Sequence, residues 1–244
     1  MGGNSAGILD LDLGQIRPEP RRLWLKFLRV PLKVGFFTLK VVLVLALPFV
    51  LLVRGSVYSY QEMGFHTWTA LGSGVAVTVL LFLIYASWLW KRMTGKRKVP
   101  RLARRVLMLA VGGYAAYALL FLSAANVKTP ELRDYYTSLH PLLRLGSSTF
   151  LLFDREAVIT DMQRTPEDYL KMGLPVNETS LHFKKEDKYV HAMDLRTVGR
   201  PEWRNQLTDG YFRLMGFRTL RHVGTADHLH ISLPIQGSGP RAAQ

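Results

Sequence analysis

The chain has 244 residues and a formal net charge of +14, from 32 Lys and Arg against 18 Asp and Glu. Hydrophobic residues make up 48% of it and charged residues only 20%, which excludes a disordered basic protein and argues against an ordinary soluble nucleic-acid-binding protein. It contains no cysteine, which excludes disulfide bonds, cysteine-ligated metals and a thiol nucleophile.

The positive charge is concentrated in the first half of the chain. Residues 1–124 carry 16 Lys and Arg and 4 Asp and Glu, a net charge of +12, whereas residues 125–244 carry 16 and 14, a net charge of +2. The first half also contains three long apolar stretches. About 20 apolar residues in a helix cross the hydrocarbon core of a bilayer, so each stretch predicts a transmembrane helix. The predicted helices are 34–53, 67–90 and 106–124.

The distribution of Lys and Arg around these helices predicts their orientation. Basic residues cluster before the first helix and between the second and third, whereas the remaining loop, 54–62, carries only Arg54. Because basic loops stay in the cytosol, we expect a cytosolic N-terminus over 1–33, a membrane anchor over 34–127 and a periplasmic or extracellular C-terminal segment. The basic loops could otherwise serve nucleic acid or acidic lipid, but topology alone accounts for them. The predicted location is the cytoplasmic (inner) membrane, with the bilayer and no nucleic acid as partner.

Residues 125–244 have the size and the nearly balanced charge of one ordinary domain. We predict a connector over 128–146, a folded domain over 147–234 and a disordered tail over 235–244. The fold class is therefore α+β: a three-helix membrane anchor followed by an extracytoplasmic domain with an antiparallel sheet and flanking helices.

The first half of this domain contains a predicted strand and a predicted helix. The stretch 147–160 is rich in Phe, Leu, Val and Ile, which predicts a strand. Thr165 followed by Pro166 predicts the start of a helix, because Thr caps helices well and Pro fits their first position. The helix is expected to end at Gly173.

The second half predicts a hairpin, a helix and two further strands. Two apolar segments within 181–195 flank the charged stretch 184–188, as a β-hairpin would. Residues 201–216 predict an amphipathic helix, and 218–223 and 228–233 predict the last two strands. The apolar residues expected to pack the helix against the sheet are Trp203, Leu207, Tyr211, Leu214 and Met215.

Six of the seven histidines lie in residues 125–244, and two of them suggest a metal site. A catalytic zinc ion keeps three protein ligands, commonly imidazole and carboxylate groups, and leaves one position open. His182, Asp194 and His230 form such a set. Asp227 lies three residues before His230, which makes it a candidate general base beside the metal.

These segments resemble the zinc D,D-peptidase family, which includes D-Ala-D-Ala carboxypeptidases, vancomycin-resistance dipeptidases, phage endolysins and the related hedgehog-like fold. The resemblance lies in Ser180-Leu-His182, Ala192-Met-Asp194-Leu and Asp227-His-Leu-His230, and covers roughly residues 158–234. It implies Zn²⁺ as cofactor, Arg164 as a catalytic and substrate-binding residue, and Ser180 as a substrate contact. His228 shares a strand face with His230 by the period of two, which makes it a further candidate substrate contact.

One departure from the family concerns the ligand spacing. Eleven residues separate His182 from Asp194, more than the family usually has, and the excess is the charged stretch 184–188. A hairpin turn about Asp187 and Lys188 would place His182 across from Met193. A slip of one residue would turn a ligand to the other face of the sheet.

The resemblance implies a membrane-anchored zinc metallopeptidase that acts on the stem peptides of peptidoglycan, as a D,D- or L,D-type carboxypeptidase or endopeptidase outside the cytoplasmic membrane. The alternative is a catalytically inactive module of the same fold that binds the cell wall or has a structural role. Such a module could belong to a membrane complex, formed with other membrane proteins or with further copies of the chain.

Overall fold

The computed structural model describes residues 20–96, 98–224 and 227–235. Within these residues the chain forms α1 (Pro20–Gln61), α2 (Thr67–Thr94), α3 (Arg101–Leu120), α4 (Pro141–Phe153), β1 (Ile159–Asp161), α5 (Pro166–Lys171), β2 (Ala192–Arg196), α6 (Glu202–Met215), β3 (Arg218–His222) and β4 (His228–Ser232). The chain divides into two compact units between Ala46 and Leu47, within α1, and the packing described below lies in the second unit. Most of the predicted tail, 236–244, and the predicted N-terminal segment up to residue 19 lie outside the described residues.

The first three helices contain the predicted membrane spans. Pro31–Gln61, Thr67–Thr94 and Arg101–Leu120 are long and apolar enough to cross a membrane. Only 17% to 22% of the most apolar part of each is buried, so most of their large apolar side chains are exposed, as lipid-facing residues are. The prediction of three helices able to span a membrane is confirmed, although the third ends at Leu120 because Phe121 is extended.

A buried helix, α4, replaces the predicted end of the connector and most of the strand predicted at 147–160. His140 caps this helix, since its Nδ1 accepts a hydrogen bond from the N–H of Leu142, and Pro141 occupies the first helical position. Only the short β1 is extended. A short apolar run fits a buried helix as well as a strand, and here the helix start lies upstream of the run that predicted the strand.

The four strands form one antiparallel sheet in the order β1-β2-β4-β3. Met193 and Leu195 of β2 lie opposite Ile231 and Leu229 of β4, and all four side chains are buried on one face of the sheet. The last two predicted strands are confirmed as β3 and β4. The predicted hairpin at 181–195 is only partly correct, because its first arm is a loop.

The charged stretch explains why that first arm is not a strand. The N–H of Lys185 donates to the carbonyl of Tyr189, and Lys188 adopts a left-handed conformation with φ of 67°. This tight turn leaves a single further backbone bond between the arms, from His191 N–H to Leu181 O. The expected pairing of His182 with Met193 is therefore wrong.

The two helices of the domain begin and end as the sequence predicts. Thr165 Oγ1 accepts from the N–H of Asp168, whose carboxylate accepts from the N–H of Thr165, so that the two residues cap α5 reciprocally. Gly173 follows α5 with φ of 68°, and Gly216 ends α6 with φ of 95°.

Only part of the predicted apolar side of α6 packs inward: Met215 is buried and Tyr211 packs against the core, as expected. The buried residues of α6 are Asn205, Thr208, Phe212 and Met215. Trp203, Leu207 and Leu214, which were expected in the core, are 61%, 64% and 62% exposed. The short side chains allow a close approach to the sheet, and their polar groups bond locally: Asn205 Nδ2 donates to Thr197 O and Thr208 Oγ1 to Arg204 O.

A close contact between helices occurs at Gly74 of α2. A Cβ atom there would collide with Ser56 Oγ and lie 2.6 Å from the backbone oxygen of Leu52 in α1. Gly72, one half-turn away, has nothing within 4 Å of the corresponding position.

We expect Gly74→Ala to lower the free energy of unfolding by about 1–3 kcal/mol, because backbone atoms of α1 have to move to admit the methyl group. Gly72→Ala is the matched control, and it is expected to be neutral or stabilising because Ala favours helix. Thermal unfolding of both variants in detergent micelles measures the difference. Equal midpoints for the two variants would contradict the close contact.

Candidate metal site

Two strands and one loop bring three potential metal ligands together. Asp194 of β2 lies directly opposite His230 of β4, and paired residues of an antiparallel sheet point to the same face. His182 comes from the loop before β2, where its carbonyl accepts a hydrogen bond from the N–H of Arg164 at 2.9 Å. The structure thus gathers His182, Asp194 and His230 on the face of the sheet opposite the core.

The ligand atoms of these residues converge on one point. His230 Nδ1 is 2.9 Å from Asp194 Oδ1. His182 Nε2 is 3.3 Å from His230 Nδ1 and 3.4 Å from Asp194 Oδ1. Three ligands at about 2.0–2.1 Å from a tetrahedral ion stand about 3.3 Å apart, so the observed spacing suits such an ion. The group can hold a metal ion.

The tautomer of His182 leaves the correct nitrogen free for a metal. Its Nδ1 lies 2.6 Å from the carbonyl oxygen of Met162, which can only accept, so Nδ1 carries the proton. In the neutral ring, Nε2 then presents its lone pair to the other two ligands. Metal-binding histidines are held in this way by a second hydrogen bond from the distal nitrogen.

The electrostatics of the site keep its carboxylate ionised. Burial alone raises the pKa of Asp194, but hydrogen bonds from His182 and His230 outweigh burial and hold this pKa well below its usual range. Burial lowers the pKa of His182, and the hydrogen bond and charge of Asp194 overcome that effect, so the pKa of His182 is raised.

Two further predicted residues lie beside the ligands. Arg164 lines the cleft, where its Nε lies 2.6 Å from Asp161 Oδ2 and its Nη2 3.5 Å from Asp194 Oδ2. Its guanidinium is thus held between two carboxylates, one of them a potential ligand. Ser180 also lines the cleft, and its Oγ accepts a hydrogen bond from the N–H of His182 at 3.3 Å.

The structure does not bring Asp227 to the three ligands. Its carboxylate accepts hydrogen bonds from Arg221 Nε at 2.6 Å, Arg221 Nη2 at 2.8 Å and Thr197 Oγ1 at 2.6 Å. These hydrogen bonds lower the pKa of Asp227 to about 2. Along β4 its position alternates with those of His228 and His230, so it lies towards the other face of the sheet. Its predicted role as general base has no support from this geometry.

A cleft of about 830 Å³ opens over the three ligands. His228, a predicted substrate contact, lies on its wall with Nε2 3.6 Å from Asp194 Oδ2. β3 supplies residues that the sequence interpretation missed: Leu220 lies opposite His230, and His222 lies opposite His228 with the two rings stacked at 4.7 Å. Arg218, the first residue of β3, also lines the cleft.

Strand pairing is the signal that would have found these residues. The period of two places Arg218, Leu220 and His222 on one face of β3. The pairing of β3 with β4 is needed to show that this face is the one that carries the ligands.

A second group of potential ligands, which the sequence interpretation also missed, lies near the start of α4. Asp187 Oδ2 is 2.8 Å from His191 Nε2 and 3.9 Å from His140 Nε2. By distance alone the three residues can hold a metal ion. The ring of His140 also contacts Thr67 Oγ1 at 2.9 Å.

The hydrogen bonds of His140 favour a structural role for this second group. Its Nδ1 already accepts a bond from the N–H of Leu142. Burial and the proximity of His191 hold the pKa of His140 well below its usual value, so the ring is neutral. Nε2 must then carry the ring proton and donate it to Thr67 Oγ1, which leaves no lone pair for a metal. The group ties the start of α2 and of α4 to the loop at 184–191.

Comparisons of the chain with protein-family models, with curated proteins and with solved structures give no match. The resemblance to zinc D,D-peptidases therefore depends on the three short motifs and on their assembly into one site.

We expect Asp187→Asn to lower the free energy of unfolding by about 1–2 kcal/mol at neutral pH, since it removes a charge-assisted hydrogen bond to buried His191. Burial raises the pKa of Asp187, but the hydrogen bond and charge of His191 outweigh burial and lower it below the unfolded value. Its contribution is therefore fully present above the unfolded pKa and is lost as the pH falls through the lower folded pKa.

The difference in stability between the wild type and this variant should accordingly be constant above about pH 5 and shrink below about pH 4. Glu186→Gln, which changes the exposed neighbouring carboxylate, is the control and should alter stability little at any pH. A difference for Asp187→Asn that grows on acidification would contradict this explanation.

Proposed function

We propose that the protein is a membrane-anchored zinc hydrolase of the peptidase type, acting on peptidoglycan stem peptides outside the cytoplasmic membrane. The observation that carries this proposal is the convergence of His182 Nε2, Asp194 Oδ1 and His230 Nδ1 within 3.4 Å of one another at an open cleft. Two imidazoles and one carboxylate leave one position of a tetrahedral ion for water or substrate, the arrangement of catalytic zinc sites.

A zinc ion at this position would supply Lewis acidity, which polarises a carbonyl group and lowers the pKa of water to about 7. The protein contributes the orientation of its ligands. Met162 O sets the tautomer of His182, and Arg164 holds the second carboxylate oxygen of Asp194. Arg164 also presents a positive charge at the cleft, where a substrate carboxylate or a developing oxyanion can approach it.

The cleft itself contains a candidate for proton transfer. His228 lies next to Asp194 on the cleft wall, with Nε2 3.6 Å from Asp194 Oδ2, and an imidazole in this position can accept and donate a proton beside the proposed metal. Asp227, the candidate from the sequence motif, is held by Arg221 and Thr197. We therefore assign proton transfer to His228 and a structural role to Asp227.

The choice of substrate follows from topology and motif. Basic residues before the first predicted span and between α2 and α3 favour a cytosolic N-terminus, and with that orientation the domain would lie on the side of the membrane where the cell wall is. The three motifs that resemble zinc D,D-peptidases are the same segments that supply the ligands. Both observations support a stem peptide as substrate.

The second candidate function is binding of the cell wall without catalysis. It is favoured by the position of Asp227, because a site that lacks the carboxylate of its motif could retain the metal and lose the chemistry. The two functions share the metal site and differ in product formation.

We expect the full-length protein in detergent to bind one zinc ion, and His182→Ala and His230→Ala each to weaken binding by more than about 100-fold, since even the loss of an outer partner costs 10–100-fold. His222→Ala, which removes an imidazole of the same cleft that is not a ligand, should leave the affinity unchanged. Protons compete with zinc for His182, and the pKa of His182 is raised above 6.5. On acidification, zinc binding should therefore begin to weaken at a pH above 6.5. Metal analysis and titration calorimetry measure all three effects, and equal affinity in the His182 and His222 variants would refute the site.

For activity, we expect zinc-loaded protein to release products from soluble wall fragments, and chelation to abolish the release. His228→Ala should reduce kcat by about 10²–10⁴-fold, the usual contribution of general acid–base catalysis, without loss of zinc. Asp227→Ala is the comparison, and its kcat should fall much less. Product analysis by mass spectrometry decides between the functions: retention of wall fragments by zinc-loaded protein without any cleavage would establish the binding module instead.

A further inference from the structure

The exposed apolar side of α6 is the largest feature of the domain that the metal site does not explain. Trp203, Leu207 and Leu214 form a stripe along it, each more than 60% exposed. At the end of α4, Phe153 is 68% and Leu152 41% exposed. A monomeric protein in water rarely exposes so many large apolar side chains close together.

α4 lies beside the membrane-spanning helices at a depth well inside them. The ring of Phe153 lies 6.0 Å from that of Phe49, which in turn lies 5.7 Å from that of Tyr114. Phe49 is twelve residues before the end of α1, or about 18 Å along its axis, and Tyr114 is six residues before the end of α3, or about 9 Å. The exposed end of α4 therefore lies level with apolar parts of two candidate spans.

α6 runs alongside α4 in the opposite direction. Tyr211 Oη donates to Gly146 O at 2.9 Å near the middle of α4, and Arg204 Nη2 donates to Asp154 Oδ1 at 3.0 Å just after its end. Arg204 and Tyr211 mark the side of α6 that contacts α4. Leu207 is three residues after Arg204 and four before Tyr211, and residues at these spacings are neighbours on a helix surface, so the stripe lies next to that side. α6 thus extends the apolar surface of α4 outwards at the same depth.

The charges beside the stripe are compensated. Arg204 contacts both Asp154 and Glu156, and Arg200 also contacts Asp154. Ion pairs of this kind reduce the cost of placing charged groups near a low-dielectric phase.

We propose that the outer face of α6, with the end of α4, lies against the lipid of the outer leaflet. The bilayer, α6 and the sheet then follow one another as layers, and the cleft opens on the far side of the sheet, away from lipid. This inference concerns the placement of the domain and does not depend on what the metal site does.

The absence of cysteine allows a direct test on the full-length chain in lipid nanodiscs. A nitroxide spin label on Leu207→Cys reports its surroundings through collisions with oxygen, which concentrates in lipid, and with a nickel chelate, which stays in water. Leu220→Cys is the matched control: it replaces another leucine that is more than half exposed, but on the cleft face of the sheet. We expect the ratio of oxygen to nickel accessibility to be several-fold higher at position 207 than at position 220.

Equal ratios at the two positions would show that α6 faces water, and a label at 207 that neither reagent reaches would show that protein covers the stripe. Either result overturns the proposal.

A second measurement avoids the label. With Trp24, Trp68, Trp88 and Trp90 replaced by Phe, the fluorescence of Trp203 should be quenched by lipids brominated on their acyl chains and protected from acrylamide. Quenching by acrylamide alone would likewise overturn the proposal.

Discussion

β2 pairs with β4 so that Met193 lies opposite Ile231 and Asp194 opposite His230. Because side chains alternate along a strand, this one register sends the two apolar residues into the core and the two polar residues to the cleft. A shift of one residue in β2 would bury the Asp194 carboxylate among apolar side chains, and a shift in β4 would bury His230 instead; either would separate the two residues. Burial of the core residues therefore fixes the geometry of the metal site.

The third ligand depends on a different constraint, which is the pairing of buried polar groups. His182 lies in a loop, where no strand register holds it, and hydrogen bonds to Met162 O and Arg164 N–H take over that task. The same loop continues to Asp187 and His191, which bond to each other beside His140. The residues that lengthen the interval between His182 and Asp194 thus serve to anchor the loop on the helices.

The sequence predicts the parts of this structure that depend on local chemistry. The caps of α5 and α6, the two last strands and the three apolar helices follow from residue type and spacing alone, and the structure contains them. The grouping of His182, Asp194 and His230 was expected from motif order.

The stretch at 147–153 forms a helix where a strand was predicted, because an apolar run does not distinguish a buried helix from a strand and His140 was not identified as a cap. Asp227 was placed in the site by spacing, whereas its hydrogen bonds to Arg221 and Thr197 depend on strand pairing that spacing does not show.

The apolar stripe of α6 is the most instructive error, because the rule behind it was sound for a soluble domain. In water, a row of large apolar residues along a helix belongs against the core. In a chain with three helices able to span a membrane, the same row has a second favourable partner in lipid, and the face turned towards the sheet can then use small residues such as Asn205 and Thr208. That face also contributes Phe212 and Met215 to the core, so core packing is complete without the stripe. Contact of Trp203, Leu207 and Leu214 with lipid, as proposed above, accounts for their exposure, because it removes their apolar surface from water.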